Sequence, residues 1–494
     1  MNRSTNLLLL LIVLCALVLG SETRATQAQE VPNQQAAPAQ TKLASDAIPA
    51  ARMQGYADLA VNWMREYLQI DTSNPPGSEM RAAAWFKKIL DREGIENRVF
   101  EYAPGRGNVW ARIPASTANK KRPLILLSHE DVVTSDAARW KFPPFSGAIS
   151  EGVMYGRGAQ DMKSEGLAHL VALVMLKREQ VALGRDVIFL ATADEEVDDT
   201  GTDWMIANQR DLLGNPEFLI TEGGENPLEN GRVKYVGVDV AEKAPFWLHL
   251  VAHGQPGHGS RPIADSAPDR LVRALQRIIE YRTELKVLPV TEQFLSAMAA
   301  YESPARARQF RNVRQAIRDK QFQQEVEQDS SLNYMLRNTI SLTMLGGSQQ
   351  TNVLPGQAWA NLDVRLLPGE DPQQFLEAMR KVVGDSNVRV EPLKRFKKSN
   401  ASPMDSALMA AIRRVSAHYF PGTPVLPRLS SGYTENERFR QLGVISYGYS
   451  PYTSTPDEGA SEHGDNERIR VEELRRGFRV LYDVVNEVAG AARN

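Results

Sequence analysis

The stretch LILLSHEDVV, Leu124 to Val133, sets an unbroken apolar run against a histidine and two acids. A short continuous apolar run suits a strand buried on both faces, as in a parallel sheet covered by helices. In open sheets of that kind the carboxyl ends of the strands converge on the ligand crevice. Two later runs repeat the pattern: VIFLATA leads into Asp194, Glu195 and Glu196, and FLIT leads into Glu222. Between the first two, YGRGAQDMK places Asp161 just ahead of an amphipathic helical stretch, where taken alone it reads as a helix cap.

Working outward, apolar strands alternate with helical stretches from about Ala51 to Val240, which predicts an α/β domain with a largely parallel sheet. From 241 to 398 the order becomes β-α-β-β-α-β, the pattern of a small ferredoxin-like α+β domain. Helix and strand patterns of the first type resume over 399–494, so the small domain is expected as an insertion that divides the larger α/β domain into 51–240 and 399–494. Inside the insertion a charged, helical-looking segment, roughly 291–334, has no function legible from its residues.

The N-terminus carries Arg3, an apolar run from Leu7 to Gly20 and a Thr26-Gln27-Ala28 triplet, which predicts a signal peptide over 1–28 and an exported protein, periplasmic or secreted. A run of fourteen residues is short for a stable membrane span, which needs about 20. The Ala/Gln/Pro-rich stretch to residue 50 is expected as a flexible leader. The single cysteine, Cys15, falls in the signal, so neither a disulfide nor a thiol nucleophile is expected in the mature chain. With 494 residues, 24% charged residues and a net charge of -2, the chain has the length for two domains and no basic surface for nucleic acid.

His129 and Asp131 project to the same side of an extended chain, so one can bind a metal while the other fixes the imidazole tautomer. Glu195 and Glu196 would project to opposite sides if extended, one towards a metal and the other towards substrate as a general base. Carboxylates and imidazole without sulfur fit zinc, with cobalt or manganese as other candidates.

SHEDVV, GRGAQDMK, ATADEE, GQPGHGSRP, TNVLPGQAWANLDVRLLPG and EHGDNERI, in this order, resemble the co-catalytic zinc exopeptidases and amidohydrolases typified by aminoacylase, carboxypeptidase S and acetylornithine deacetylase. The resemblance covers about Ala51 to the C-terminus. It implies a zinc-hydrolase catalytic domain with an inserted lid and dimerisation domain, a homodimer, and two zinc ions per subunit. His129, Asp161, Glu196, Glu222 and His463 match the metal ligands, with Asp161 bridging. Asp131 matches the residue behind the ligand histidine, and Glu195 matches the general base. At the end of the FLIT run the aminoacylase branch has an acid where this chain has Thr221, so Glu222 takes the ligand role by proximity. His258 matches the histidine that a partner subunit delivers to the oxyanion. Asn352 and Arg365 match residues that hold a substrate carboxylate. Thr434 belongs to a loop in which Tyr433 and Glu435 replace the family's glycine and aspartate.

The expected substrate is a small peptide cut at its C-terminal end or an N-acyl amino acid. The alternatives are an aminopeptidase or dipeptidase on the same scaffold, which would need a site for a free amine, and a non-catalytic binding protein derived from it, which would need a lost base or ligand.

Overall fold

The computed structural model describes residues 42–118, 120–394 and 398–491. The expected signal peptide and most of the leader lie outside these. The described end of that leader is not a free tail. Ala44–Ala47 forms a single 3-10 turn in which Ser45 is buried, bonding Asp483 through its N (2.8 Å) and its Oγ (2.6 Å). Two buried hydrogen bonds and the burial of Leu43, not an apolar period, start the structure ahead of Ala51.

The catalytic part begins with helices α1 (Ala50–Leu68) and α2 (Met80–Arg92), then strands β1 (Glu96–Ala103), β2 (Arg106–Ile113) and β3 (Lys121–His129). It continues through α3 (Lys163–Arg178), β4 (Arg185–Thr192), β5 (Phe218–Thr221) and β6 (Val236–Glu242). Next come β7 (Leu248–His253), β8 (Gly257–His258), α4 (Ala267–Glu280), β9 (Thr339–Gly346), β10 (Val353–Leu354), β11 (Gln357–Leu366), α5 (Pro372–Val383) and β12 (Val388–Pro392). The chain then returns through α6 (Ala407–Tyr419), β13 (Val425–Ser430), β14 (Ile445–Gly448) and α7 (Val471–Ala489).

The central sheet has eight strands in the order β1-β2-β4-β3-β5-β14-β6-β13. Its middle is parallel: β3 pairs with β4 and β5, and β5 with β14, while β1 and β2 are antiparallel additions at one edge. The apolar run in β3 splits between two cores. Leu124 and Leu126 join the core built with α1, α3 and α7, and Ile125 and Leu127 join the one on the opposite face. Burial on both faces is why this strand shows no alternation, and each such side chain contributes about 2 kcal/mol.

The second sheet is antiparallel. β11 lies between β7 and β9, and β12 closes the far side of β7. Its buried residues pack with α4 and α5 in a core of their own. The segment without a legible role folds as short helices, including Pro289–Met298 and Lys320–Gln328. Their apolar residues pack with Tyr235 and with Leu426 of β13. They therefore cover the exposed edge of the central sheet, a strand that would otherwise offer unpaired backbone groups. No helix among the described residues is long and apolar enough to cross a membrane.

Candidate metal centre and its two clefts

The parallel strands β3, β4 and β5 end side by side, which places His129, the Glu195 turn and Glu222 together. His129 is fully buried. Its Nε2 lies 2.9 Å from Asp161 Oδ1 and 3.4 Å from Glu222 Oε2. On the other side of Asp161, His463 Nε2 lies 2.9 Å from Oδ2 and 3.2 Å from Glu196 Oε2. The two oxygens of Asp161 thus face two imidazoles from opposite ends of the chain. Helix α3 starts at Lys163 with Met162 at its N-cap, so Asp161 is not a cap.

The carboxyl groups are crowded and mostly buried. Burial pushes the Glu195 carboxyl well above its usual range, and the charge of Glu222 adds to this. Burial and the charge of Asp161 push Glu222 the same way. Burial opposes ionisation of Asp161, but its hydrogen bonds to His129 and His463 outweigh this and hold it low. Asp161 and Glu196 in turn hold His463 up at about 11. A cluster that draws positive charge this strongly, from oxygen and imidazole donors alone, fits divalent cations such as zinc. His129, Asp161 and Glu196 form one group whose ligand atoms all lie within 4.8 Å of one another, and His129, Glu195 and Glu222 form a second. Thr221 is buried in β5, and Glu222, the next residue, brings its carboxylate to 3.4 Å from His129 Nε2.

Two expectations change in detail. Asp131 meets the ring of His129 through its backbone oxygen, 2.9 Å from Nδ1, while its carboxylate stands 3.7 Å away. The carboxylate instead accepts the backbone N–H of Glu195 (3.1 Å) and of Glu196 (3.2 Å) and the Nδ2 of Asn74 (2.8 Å). It shapes the turn that carries both glutamates. Nor is that turn extended: Asp194 has φ 72°, and the N–H of Asp198 and of Asp199 both return to its carbonyl, so both glutamates line the same clefts. Glu130, between His129 and Asp131, is buried, lines neither cleft, and is pushed by burial well above the usual carboxylate range.

Several supporting residues gave no signal in the sequence. Glu467 is fully buried and accepts the backbone N–H of Gln160 (2.6 Å), of Asp161 (3.1 Å) and of Gly158 (3.1 Å). It also pairs with Arg157 at 2.6 Å, and Arg157 Nη2 reaches the carbonyl of Gly464 at 2.9 Å. Glu467 and Arg157 therefore tie the Asp161 loop to the His463 loop. Asn74 and Arg106 both bond Asp194 at the base of the Glu195 turn. Arg157 and Glu467 lie in the GRGAQDMK and EHGDNERI motifs, but nothing in a charged loop distinguishes a buried acceptor of backbone N–H groups.

Two clefts meet at Glu195, Glu196 and His463. One, of about 430 Å³, lies within the catalytic part and includes Asp161 and Glu222. The other, of about 580 Å³, runs between the two sheets and is lined also by Trp247, Arg365, Lys394, Tyr433 and Arg438. Arg365 donates Nε and Nη2 to Asp363, and its Nη1 has no hydrogen bond among the described residues. Lys394 pairs with Asp198 across the cleft and lies over the Trp247 ring, 5.3 Å from its centre. Thr434 Oγ1 donates to the buried Glu242 at 2.9 Å and its hydroxyl also takes the N–H of Asn436, so it braces the Tyr433 loop. His258 lies on β8 opposite Val353 of β10, and Asn352, just ahead of β10, accepts the N–H of Gly259 at 2.7 Å; neither His258 nor Asn352 lines a cleft.

The profile of peptidase family M20/M25/M40 matches residues 125–487. Among curated proteins, aminoacylase-1 of Homo sapiens is 26% identical over 424 residues, covering 85% of this chain and 92% of its own. The N-fatty-acyl-amino acid synthase/hydrolase of Homo sapiens is also 26% identical, over 74% of each chain. Among solved structures, a metallo-carboxypeptidase of Sulfolobus solfataricus aligns with a TM-score of 0.67 at 19% identity, covering 87% of this chain and 98% of its own. Human carnosine dipeptidase 1 aligns with a TM-score of 0.65 at 17% identity, covering 89% and 97%. At these identities the structural likeness speaks for the fold.

Proposed function

Because this chain belongs to peptidase family M20/M25/M40, and is a metallo-peptidase or amidohydrolase, we propose that it hydrolyses an amide next to a residue with a free carboxylate. The observation that carries this is the shared cleft in which Arg365 faces the space bounded by Glu195, Glu196 and His463. A guanidinium suits a carboxylate, and Nη1 is free to meet one. Aminoacylase-1 supports the N-acyl amino acid form of this reading, and the metallo-carboxypeptidase fold supports the peptide form.

His129, Asp161 and Glu222 would hold one cation, and His463, Asp161 and Glu196 a second, with zinc the proposed metal. When bound, such a pair polarises the amide carbonyl and makes water acidic near neutral pH. Glu195 takes a proton from the attacking water and passes it to the leaving nitrogen as the C–N bond breaks, which yields a carboxylic acid and a free amino acid. Asp131 and Asn74 keep the Glu195 turn in place. Arg365 holds the substrate carboxylate, and Asn352 joins it only if the partner subunit brings it to the cleft.

Zinc-supplied protein is expected to release amino acid from N-acyl amino acids or dipeptides about 10–100-fold faster, in kcat/KM, than from their C-terminal amides. That factor corresponds to one charge-assisted hydrogen bond of about 1.5–3 kcal/mol. Equal rates on the amides would remove Arg365 from substrate binding.

The proposal includes a homodimer through the inserted sheet, since His258 and Asn352 line neither cleft of their own chain. The free edge β9 supports it, exposing Leu342 (36%), Met344 (53%) and Leu345 (66%). Sedimentation should give twice the chain mass for wild type and a smaller species for Met344→Glu/Leu345→Glu. A wild-type monomer with full activity would sink this part.

A further inference from the structure

The cleft within the catalytic part has more acceptors than donors on its wall. Glu165, in the first turn of α3, is 7% exposed, and its Oε2 has no hydrogen-bond partner among the described residues. Asn226 is 2% exposed, and its Oδ1 has none among them either. The orientation of that amide is set, because Nδ2 donates to the carbonyls of Ser450 (2.9 Å) and Tyr452 (2.7 Å). Both side chains line the cleft, and both bear on the Ser450 to Tyr452 segment: Ser450's hydroxyl acts on Glu165, and Tyr452 Oη donates to the carbonyl of Ser164 at 2.8 Å. Gly477 of α7 permits this placement, since a Cβ there would overlap the Tyr452 ring.

The cations of this wall are already engaged. Arg428 lies 3.4 Å from Glu225 and 3.7 Å from Asp239, and His463 faces Asp161 and Glu196. Buried acceptors without donors are rare in folded proteins, and a ligand bearing N–H groups would supply what this wall lacks. The opposite cleft carries Arg365, Lys394 and Arg438, paired with Asp363, Asp198 and Asp199 respectively, and of these Arg365 keeps its Nη1 without a hydrogen bond among the described residues. Glu195 and Glu196 lie between the two clefts, so the line from one to the other runs from unpartnered acceptors, through the carboxylates, to that guanidinium.

We propose that the Glu165 and Asn226 wall binds an ammonium group on the acyl side of the scissile amide. The favoured substrates then carry an amine at one end and a carboxylate at the other, as short free peptides do, and a fatty acyl group is disfavoured. This rests on the function proposed above. The ammonium can be the α-amine of an N-terminal residue or an amine at the end of a longer acyl chain, and both present the same donors to the wall.

The test compares kcat/KM of zinc-supplied protein on two matched pairs of alanine amides. Alanyl-alanine against N-propionylalanine isolates an α-ammonium, and N-(6-aminohexanoyl)alanine against N-hexanoylalanine isolates a distal one. At least one pair should favour the ammonium member tenfold or more, and the pair that does so identifies the source. In Glu165→Gln that ratio should fall towards one, and in Asn226→Asp it should rise. Neutral acyl groups equal or better in both wild-type pairs would overturn the subsite while leaving amide hydrolysis intact. A wild-type ratio unmoved in Glu165→Gln would also overturn it. No turnover of any of the four compounds would overturn the function and the subsite together. The wild-type ratios need no variant to fold.

Discussion

Glu195→Gln should lower kcat by about 10²–10⁴-fold, the usual contribution of a positioned general base, with bound metal unchanged. Glutamine preserves the shape of the side chain and removes its ability to take a proton. The backbone N–H of Glu195 still meets Asp131, so the turn should keep its geometry. The measurement is steady-state turnover alongside metal content of the purified protein. The metal count is needed because Glu195 stands close enough to His129 and Glu222 to serve as a ligand. Loss of one metal equivalent with the activity would make Glu195 a ligand and open the base role to Glu222.

Asp161→Ala should be the most damaging single substitution for metal binding. Its two oxygens face His129 and His463 at 2.9 Å each, so its loss removes a carboxylate oxygen from both sides at once. The variant should lose most of both metal equivalents and activity below detection, whereas Glu222→Ala should lose about one equivalent. Metal analysis after dialysis against apo buffer distinguishes them. An Asp161→Ala protein that keeps two metals would remove the bridging role. Removal of both metals by a chelator should likewise abolish turnover, and added zinc should restore it.

Much of the site could be read from the chain because parallel strands impose a rule. LILL, VIFLATA and FLIT are apolar because both faces are buried, and in a parallel array their next residues share one edge. His129, Glu195, Glu196 and Glu222 follow from that alone. Asp161 and His463 were reached only through resemblance, since a loop acid ahead of a helix and a histidine near the C-terminus carry no local signature. The role of Asp131 was legible only in part. Its spacing placed it beside His129, but whether its carbonyl or its carboxylate meets the ring depends on which backbone N–H groups the next loop presents.

The sequence by itself determined the layered α/β class, the inserted β-α-β-β-α-β unit and the acids at the strand ends, because hydrophobic period and strand polarity are local properties. Tertiary structure alone decided what lies across from what. It set His463 against Asp161 through the buried Glu467 and Arg157, turned both glutamates into the clefts through Asp131, and laid the 291–334 helices over the edge of β13. It also left Glu165 Oε2 and Asn226 Oδ1 without donors among the described residues. Such pairings join residues 64 to 310 positions apart, and their energy comes from desolvation and from satisfying buried polar groups, which no local pattern of residues records.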